Sequence, residues 1–163
     1  MRTISKIRLG SRRGNAMLEF GLASLILIPM FLGTFQFGYT FYVYNLMSAQ
    51  VRAAARYASL RTFRCSDSNG ITAFKTAVKN VVIYGTPAGG TTNLIPGLTD
   101  PAKVDVEIKD SANNDASSSK LPVTVYVRII NFTVDAIVGT YSFNGKPVMI
   151  FPYEGQYAPG ESE

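Results

Sequence analysis

The sequence contains no histidine, and its 163 residues include one cysteine, Cys65. Histidine is the commonest general base and the commonest metal ligand, so its absence removes the usual basis for acid–base catalysis or a metal site. A single cysteine cannot form a disulfide within the chain. We therefore expect an apolar core to hold the fold, and we expect no enzymatic activity, no cofactor and no metal.

Cys65 leaves two possibilities open. In an oxidising compartment it can form a disulfide with a second chain. The alternative, which we favour, is a buried or unreacted thiol.

Charge is missing from a long stretch near the N-terminus. The 32 residues between Glu19 and Arg52 carry no charged side chain and are mostly Leu, Ile, Phe, Gly, Ala and Tyr. A bilayer core of about 30 Å requires roughly 20 apolar helical residues, so this stretch is long enough to cross a membrane.

The formal charge of +5 belongs to the N-terminal segment rather than to the whole chain. Five basic residues and no acidic residue precede Glu19: Arg2, Lys6, Arg8, Arg12 and Arg13. The rest of the chain is neutral. This distribution argues against a nucleic-acid partner, which requires a basic face on the folded part, and it is typical of a topology signal held in the cytoplasm.

The apolar stretch and its continuation predict one helix over about residues 16–60. We assign 16–44 to the membrane and 45–61 to water, with Tyr39, Tyr42 and Tyr44 near the far interface, where tyrosine is favoured. Pro29 predicts a kink or a loosened turn. In the water-exposed part, helical spacing predicts one packing face, formed by Leu46, Ala49, Ala53, Tyr57 and Leu60.

After Cys65 the pattern is that of a small soluble domain. We predict a second helix over 71–84, ended by Gly85, with Phe74, Ala77, Val78, Val81 and Val82 on its apolar face. Loops are predicted at 85–103 and 111–119, and strands at 103–110 and 123–132. A hairpin turn is predicted at Asn144-Gly145, followed by a short or edge strand between Pro147 and Pro152. The tail after Tyr157 is predicted to be loose. The predicted class is α+β: a long N-terminal helix, then a second helix and an antiparallel sheet of three or four strands. The predicted divisions are a leader 1–14, the helix 15–61 and a soluble extracytoplasmic domain 62–163.

Three kinds of N-terminal segment fit a basic flank followed by an apolar run. A cleaved secretory signal has a shorter apolar core, of about 7–15 residues. An ordinary signal anchor explains the leader and the length, but it explains neither Glu19 just inside the run nor the glycine before Asn15. The third kind accounts for both.

The stretch "RRGNAMLEF" resembles the processing motif of type IV prepilins, in which a glycine precedes a segment whose fifth residue is glutamate. The resemblance implies cleavage after Gly14 by a membrane-embedded prepilin peptidase on the cytoplasmic side. Asn15 becomes the first residue, Glu19 the fifth, and Phe20 follows it. It also implies an assembly role for Glu19, whose carboxylate would attract the new N-terminal amine of a neighbouring subunit.

A longer block, residues 14–59, is similar to the TadE-like pseudopilins of tight-adherence (Tad/Flp) pilus systems. The resemblance rests on Glu19-Phe20, Pro29, Phe37-Gly38 and the segment Ala55-Arg56-Tyr57-Ala58. It implies a minor pilin or pseudopilin of the bacterial inner membrane, with its N-terminus cytoplasmic and its C-terminal domain periplasmic, which takes part in pilus assembly and surface adhesion. The implied partners are the prepilin peptidase, other pilin-like subunits and membrane lipid.

Other classes of function were weighed against this one. The alternative is an unprocessed membrane-anchored periplasmic module that binds a ligand through its sheet domain.

Asp105 and Glu107 share a strand face, but we interpret them as solvent-facing rather than catalytic. Arg52 and Arg56 are predicted either to contact a partner subunit or lipid headgroups, or to be simply solvated. Gly21, Gly33 and Gly38 would permit close approach of a second helix.

Overall fold

The computed structural model describes residues 12–62, 68–116, 122–136 and 138–155. The elements in chain order are α1 (Arg12–Leu60), α2 (Ser68–Tyr84), a 3₁₀ turn (Pro101–Lys103), β1 (Val104–Lys109), β2 (Thr124–Ile129), β3 (Phe132–Asp135), β4 (Thr140–Phe143) and β5 (Val148–Pro152). The predicted α+β class is confirmed. Most of the basic leader, Cys65 and the predicted tail after Tyr157 lie outside the described residues.

Helix α1 is one continuous element of 49 residues, and Pro29 lies inside it. An α-helix satisfies its backbone hydrogen bonds internally, which lets one helix continue from an apolar environment into a polar one. The kink predicted at Pro29 remains a prediction.

Helix α2 begins three residues before its predicted start and ends at Tyr84, as the sequence predicts. Gly85 follows with a φ of 78°, and its amide donates to the carbonyl of Val81 at 3.0 Å. This left-handed residue caps the helix end, a position that favours glycine. The predicted apolar face is buried at Phe74, Val78, Val81 and Val82, while Ala77 lies half-buried at its margin.

Three strands form the main antiparallel sheet, in the order β1–β2–β5. Buried and partly exposed residues alternate along β1 and β2, so the apolar residues of both strands lie on one face of the sheet. These residues are Val104, Val106, Ile108, Val125, Val127 and Ile129. This face packs against both helices, since β2 and β5 contact α1 and β1 contacts α2. The core therefore lies between a layer of two helices and a layer of three strands.

The predicted strand over 123–132 is wrong in its extent, because the chain turns at residues 130–131. Asn131 adopts a φ of 49°, a left-handed conformation that ends β2 and that asparagine tolerates better than most residues. After this turn β3 pairs with β4 in a separate two-stranded sheet. The single predicted sheet is thus two sheets.

The hairpin predicted at Asn144-Gly145 is also wrong. Gly145 does make the turn, with a φ of 73°, but the strands on either side belong to different sheets. β4 pairs with β3, whereas β5 pairs with β2 as an edge strand. The prediction of a short edge strand between Pro147 and Pro152 is confirmed.

The packing face predicted for the second half of α1 is wrong. The residues with no exposed surface are Val43, Met47, Val51, Ala54, Ala55 and Ala58, whereas Ala49 and Ala53 are exposed. Apolar residues recur at helical spacing on both faces of this alanine-rich segment, so periodicity alone does not choose between them. The larger Val43, Met47 and Val51 bury more apolar area, and their side of the helix faces the core.

The segment after β5 is tied to the C-terminal end of α1. The amides of Glu154 and Gly155 donate to the carbonyl of Ser59, at 2.8 and 3.0 Å. The Tyr153 hydroxyl donates to the carbonyl of Arg61 at 2.8 Å. The last carbonyls of a helix lack partners within it, and here the returning chain supplies them.

Replacing Ala58 by leucine should destabilise the soluble domain by about 1–3 kcal/mol, because extra methylenes in a packed core force neighbouring side chains to move. The exposed Ala53→Leu is the matched control, expected within about 0.5 kcal/mol of the wild type. Denaturant unfolding of the full chain in detergent, followed by near-UV circular dichroism, measures both. Equal stability of the two variants would contradict the assigned packing face.

Candidate functional site

The N-terminal part of α1, residues 14–35, is not covered by the rest of the described chain, and we call it the bare segment. From residue 14 to residue 35, every side chain is exposed except those at positions 24 and 33, which are half-exposed. Its large apolar residues, from Met17 to Phe35, leave between 36% and 81% of their surface uncovered. Within the described residues, this helix is the one long and apolar enough to cross a membrane, and none of its most apolar window is buried.

The length of the bare segment matches a bilayer core. Its 22 residues extend about 33 Å, against a hydrocarbon thickness of about 30 Å. The next residue, Gln36, is only 5% exposed because the soluble domain covers it. The bare segment is therefore bounded by a contact within the fold.

Glu19 is an exposed carboxylate on this segment and forms no ion pair with any described residue. The nearby hydroxyls are satisfied by their own helix: Ser24 donates to the carbonyl of Phe20 at 2.6 Å, and Thr34 to that of Met30 at 2.9 Å. Glu19 therefore differs from these two polar neighbours, because no described residue pairs with its charge.

The glycines of α1 are not required by packing within the chain. A Cβ atom added at Gly14, Gly21, Gly33 or Gly38 meets no atom within 4 Å. A neighbouring molecule therefore has room to approach the helix closely at these glycines. Larger residues at these positions should leave the fold unchanged.

Gln36 joins α1 to the turn between β3 and β4. Its Nε2 donates to the carbonyl of Gly139 at 2.8 Å, and its Oε1 accepts from the amide of Val138 at 3.0 Å. Gln36 is not among the residues predicted from the sequence. The available signal was an amide within an apolar run, since a buried amide is costly unless both of its polar ends find partners.

Aromatic contacts continue this junction along the helix. The Phe37 and Tyr141 rings lie 6.4 Å apart between centroids, and the Tyr44 and Phe143 rings 5.6 Å apart. Strand β4 therefore follows α1 from the level of Gln36 to that of Tyr44. Tyr39 and Tyr42, predicted at the interface, lie within this range and are 40% and 56% exposed.

Arg52 and Arg56 are exposed on the face of α1 that the soluble domain leaves open. They line a groove of about 920 Å³ that is completed by Phe151 of β5; its other lining residues are Asn45, Ser48, Ala49, Ala53, Tyr57 and Leu60. Neither arginine has an ion-pair partner among the described residues. The packing face predicted from the sequence is thus largely the wall of an open, positively charged groove.

Asp105 and Glu107 lie on the outer face of the sheet and are held by cations. Arg128 contacts both carboxylates, and Lys109 contacts Glu107 at 3.2 Å and Asp115 at 2.8 Å. The hydrogen bond to Asp105 raises the pKa of Arg128. Hydrogen bonds to Asp115 and, next in size, to Glu107 raise the pKa of Lys109. The ammonium group of Lys109 lowers the pKa of Asp115. The arrangement is a surface ion-pair network. In the described residues no group of three His, Cys, Asp or Glu side chains is placed to bind a metal.

Replacing Gln36 by alanine removes both hydrogen bonds to the turn after β3, so the turn should separate from α1 more often. We expect faster amide hydrogen exchange at Val138, by about tenfold if the net contribution of the two bonds is about 1.4 kcal/mol. Thr40→Ala is the control, because the Thr40 hydroxyl bonds to the carbonyl of Gln36 in its own helix. Unchanged exchange at Val138 would show that the amide does not hold the turn.

Comparison with known proteins bears on the same N-terminal segment. Residues 14–56 match the model of a family described as TadE-like protein. Neither the curated proteins nor the solved structures contain a match to the chain. The matched segment begins at the glycine of the predicted cleavage motif, includes Glu19, Gln36 and both groove arginines, and covers about a quarter of the chain; over these residues the chain is similar to the TadE-like family.

Proposed function

We propose that this protein is a minor pilin-like subunit of a tight-adherence pilus machine, made as a precursor and cut after Gly14. The observation that carries the proposal is the family match, which begins at Gly14 and covers the bare helix. In this proposal a prepilin peptidase removes the basic leader, and α1 holds the subunit in the inner membrane. The subunit then takes part in pilus assembly and surface adhesion with other pilin-like subunits.

The charge distribution supports the proposed orientation. Basic residues close to one end of a membrane helix favour its retention in the cytoplasm, and five precede Glu19. The folded domain, which follows α1, would then lie in the periplasm. Cleavage after Gly14 leaves the spanning helix intact, with Asn15 at its cytoplasmic end.

The proposed role of Glu19 follows from its isolation. A carboxylate inside a bilayer is costly unless it is paired, and Glu19 has no partner among the described residues. The amine created at Asn15 carries the complementary charge. Because four residues separate the two groups along one helix, a neighbouring subunit shifted along its axis brings an amine to each glutamate. The pair would then set the axial register between subunits.

The position of Arg52 and Arg56 favours a partner subunit over lipid headgroups. Arg52 lies 16 residues beyond Gln36, a distance of about 24 Å along the helix. The headgroup layer on one side of a bilayer is about 5–8 Å thick. With the membrane boundary at the end of the bare segment, an acidic surface of another subunit is the better partner for the groove.

Replacing Gly14 by leucine should leave the leader attached, because the proposed peptidase recognises this glycine. The fold tolerates the change, since a Cβ atom at Gly14 meets no neighbour. Intact-mass and N-terminal peptide mass spectrometry of membrane-extracted protein, with and without active prepilin peptidase, measures the cut.

The matched control is Gly21→Leu, an equally open glycine on the same helix, which should be processed normally. A wild-type chain that still begins at Met1 when the peptidase is active would refute processing. It would favour the alternative of an unprocessed membrane-anchored binding module.

Replacing Glu19 by glutamine should preserve membrane insertion but reduce incorporation into pilus complexes. A tenfold loss corresponds to about 1.4 kcal/mol, well within the energy of pairing a charge in a bilayer. Co-purification with other pilin-like subunits and the amount of sheared surface filament measure the effect. Thr34→Val, a polar-to-apolar change on the same bare segment, is the control. Normal filament output from Glu19→Gln would exclude the pairing role.

A further inference from the structure

The β3–β4 hairpin is a separate projection of the soluble domain that points toward the bare end of α1. Its two strands pair with each other and form no part of the main sheet. Phe132 and Val134 anchor one strand in the core, whereas the burial pattern of β4 is almost entirely exposed. The turn at the far end of the hairpin is fixed to Gln36 by the two amide bonds described above.

The level of this turn relative to a membrane follows from the helix. If the bare segment spans the bilayer, as the proposed function requires, the 21 residues that remain after the cut, 15–35, fill the hydrocarbon core and Gln36 lies at the outer boundary. The turn, bonded to Gln36, lies at the same level. The hairpin therefore reaches the membrane surface while the main sheet remains above it.

The surface chemistry of the hairpin is suited to that level. Val138 is 63% exposed at the turn, and Tyr141 is 38% exposed on β4. Phe37 of α1, whose ring lies 6.4 Å from that of Tyr141, is 56% exposed, and Phe41, four residues farther along the helix, is 66% exposed. No charged residue occurs between Asp135 and Lys146. Exposed apolar and aromatic side chains at a bilayer interface are stabilised by partial burial among lipids.

A crevice separates the hairpin from the bare helix. Its volume is about 510 Å³, and it is lined by Pro29, Leu32, Gly33, Gln36, Phe37 and residues 138–141. Pro29 lies seven residues before Gln36, about 10 Å into the proposed hydrocarbon core. One end of the crevice is therefore apolar, and the other end carries the hydroxyls of Thr140 and Tyr141. A phospholipid has the same order of polarity, from its apolar acyl chain to its polar headgroup.

We propose that the β3–β4 hairpin docks on the outer leaflet of the membrane that α1 spans, with Val138 inserted and a phospholipid filling the crevice. Asp135 sets the depth. It is exposed and pairs with Thr140 in the ladder, so its carboxylate remains in water only if insertion stops at the turn beyond it. The soluble domain then has two membrane contacts, the helix and the hairpin, which together fix its tilt relative to the membrane.

The test is electron paramagnetic resonance with single spin labels on the full chain in phosphatidylcholine–phosphatidylglycerol vesicles. Labels are attached at Val138→Cys and, independently, at Tyr141→Cys, in a Cys65→Ser background. Leu25→Cys, on the bare helix, is the reference for lipid, and Ile150→Cys, 54% exposed on β5, is the reference for water. Molecular oxygen, which concentrates in lipid, and a water-soluble nickel complex report the surroundings of each label.

We expect the nickel complex to relax the label at Val138 several-fold less than the label at Ile150, and oxygen to relax it more. Relaxation by nickel equal to that at Ile150 would place the turn in water and overturn the proposal. Low relaxation by both reagents would overturn it as well, because it would indicate burial against a second protein. If the nickel complex also relaxes the label at Leu25, both the membrane anchor and the hairpin contact are rejected. If oxygen relaxes the label at Leu25 while the nickel complex relaxes the label at Val138, only the hairpin contact is rejected.

Discussion

The structure depends on one continuous helix that must meet two different requirements along its length. Its first half presents large apolar side chains in every direction, which is stable only where no water surrounds them. Its second half buries one stripe, from Val43 to Ala58, against a second helix and a sheet. Alanines at the end of this stripe let the neighbouring elements approach closely, so the helix becomes the central element of a compact domain.

Gln36 and the charged groups on either side of it divide the helix into zones. Toward the N-terminus, a carboxylate lies on the bare segment with no partner among the described residues. At the junction, an amide is fully used by a turn of the soluble domain. Farther along, two arginines line an open groove. Each polar group thus has a different environment, although all of them belong to one secondary-structure element. In the proposed function, the carboxylate and the arginines contact other subunits, whereas Gln36 contacts the fold itself.

The sequence predicts the elements better than their arrangement. Long apolar periodicity defines α1, Gly85 ends α2, and strict alternation defines β1, because these signals are local. The division between the two sheets was missed because it depends on one left-handed residue, Asn131, within a stretch that reads as a continuous strand. The buried face of α1 was misassigned because alanine is compatible with either side. The proposed cleavage motif and the position of Glu19 are local features of the sequence and stay predictions, whereas the junction at Gln36 requires partners about 100 residues away.

The ties between residues 153–155 and the last turn of α1 bring the two boundaries of the soluble domain together. The chain leaves the helix near Leu60 and returns to the carbonyls of Ser59 and Arg61. A unit whose entry and exit points are adjacent can be enlarged or altered while the helix that carries it is kept, provided that the stripe from Val43 to Ala58 stays covered. This geometry agrees with a family match that is confined to residues 14–56. In the proposed function, insertion and assembly depend on the helix, so the outer part of the domain can change without altering them.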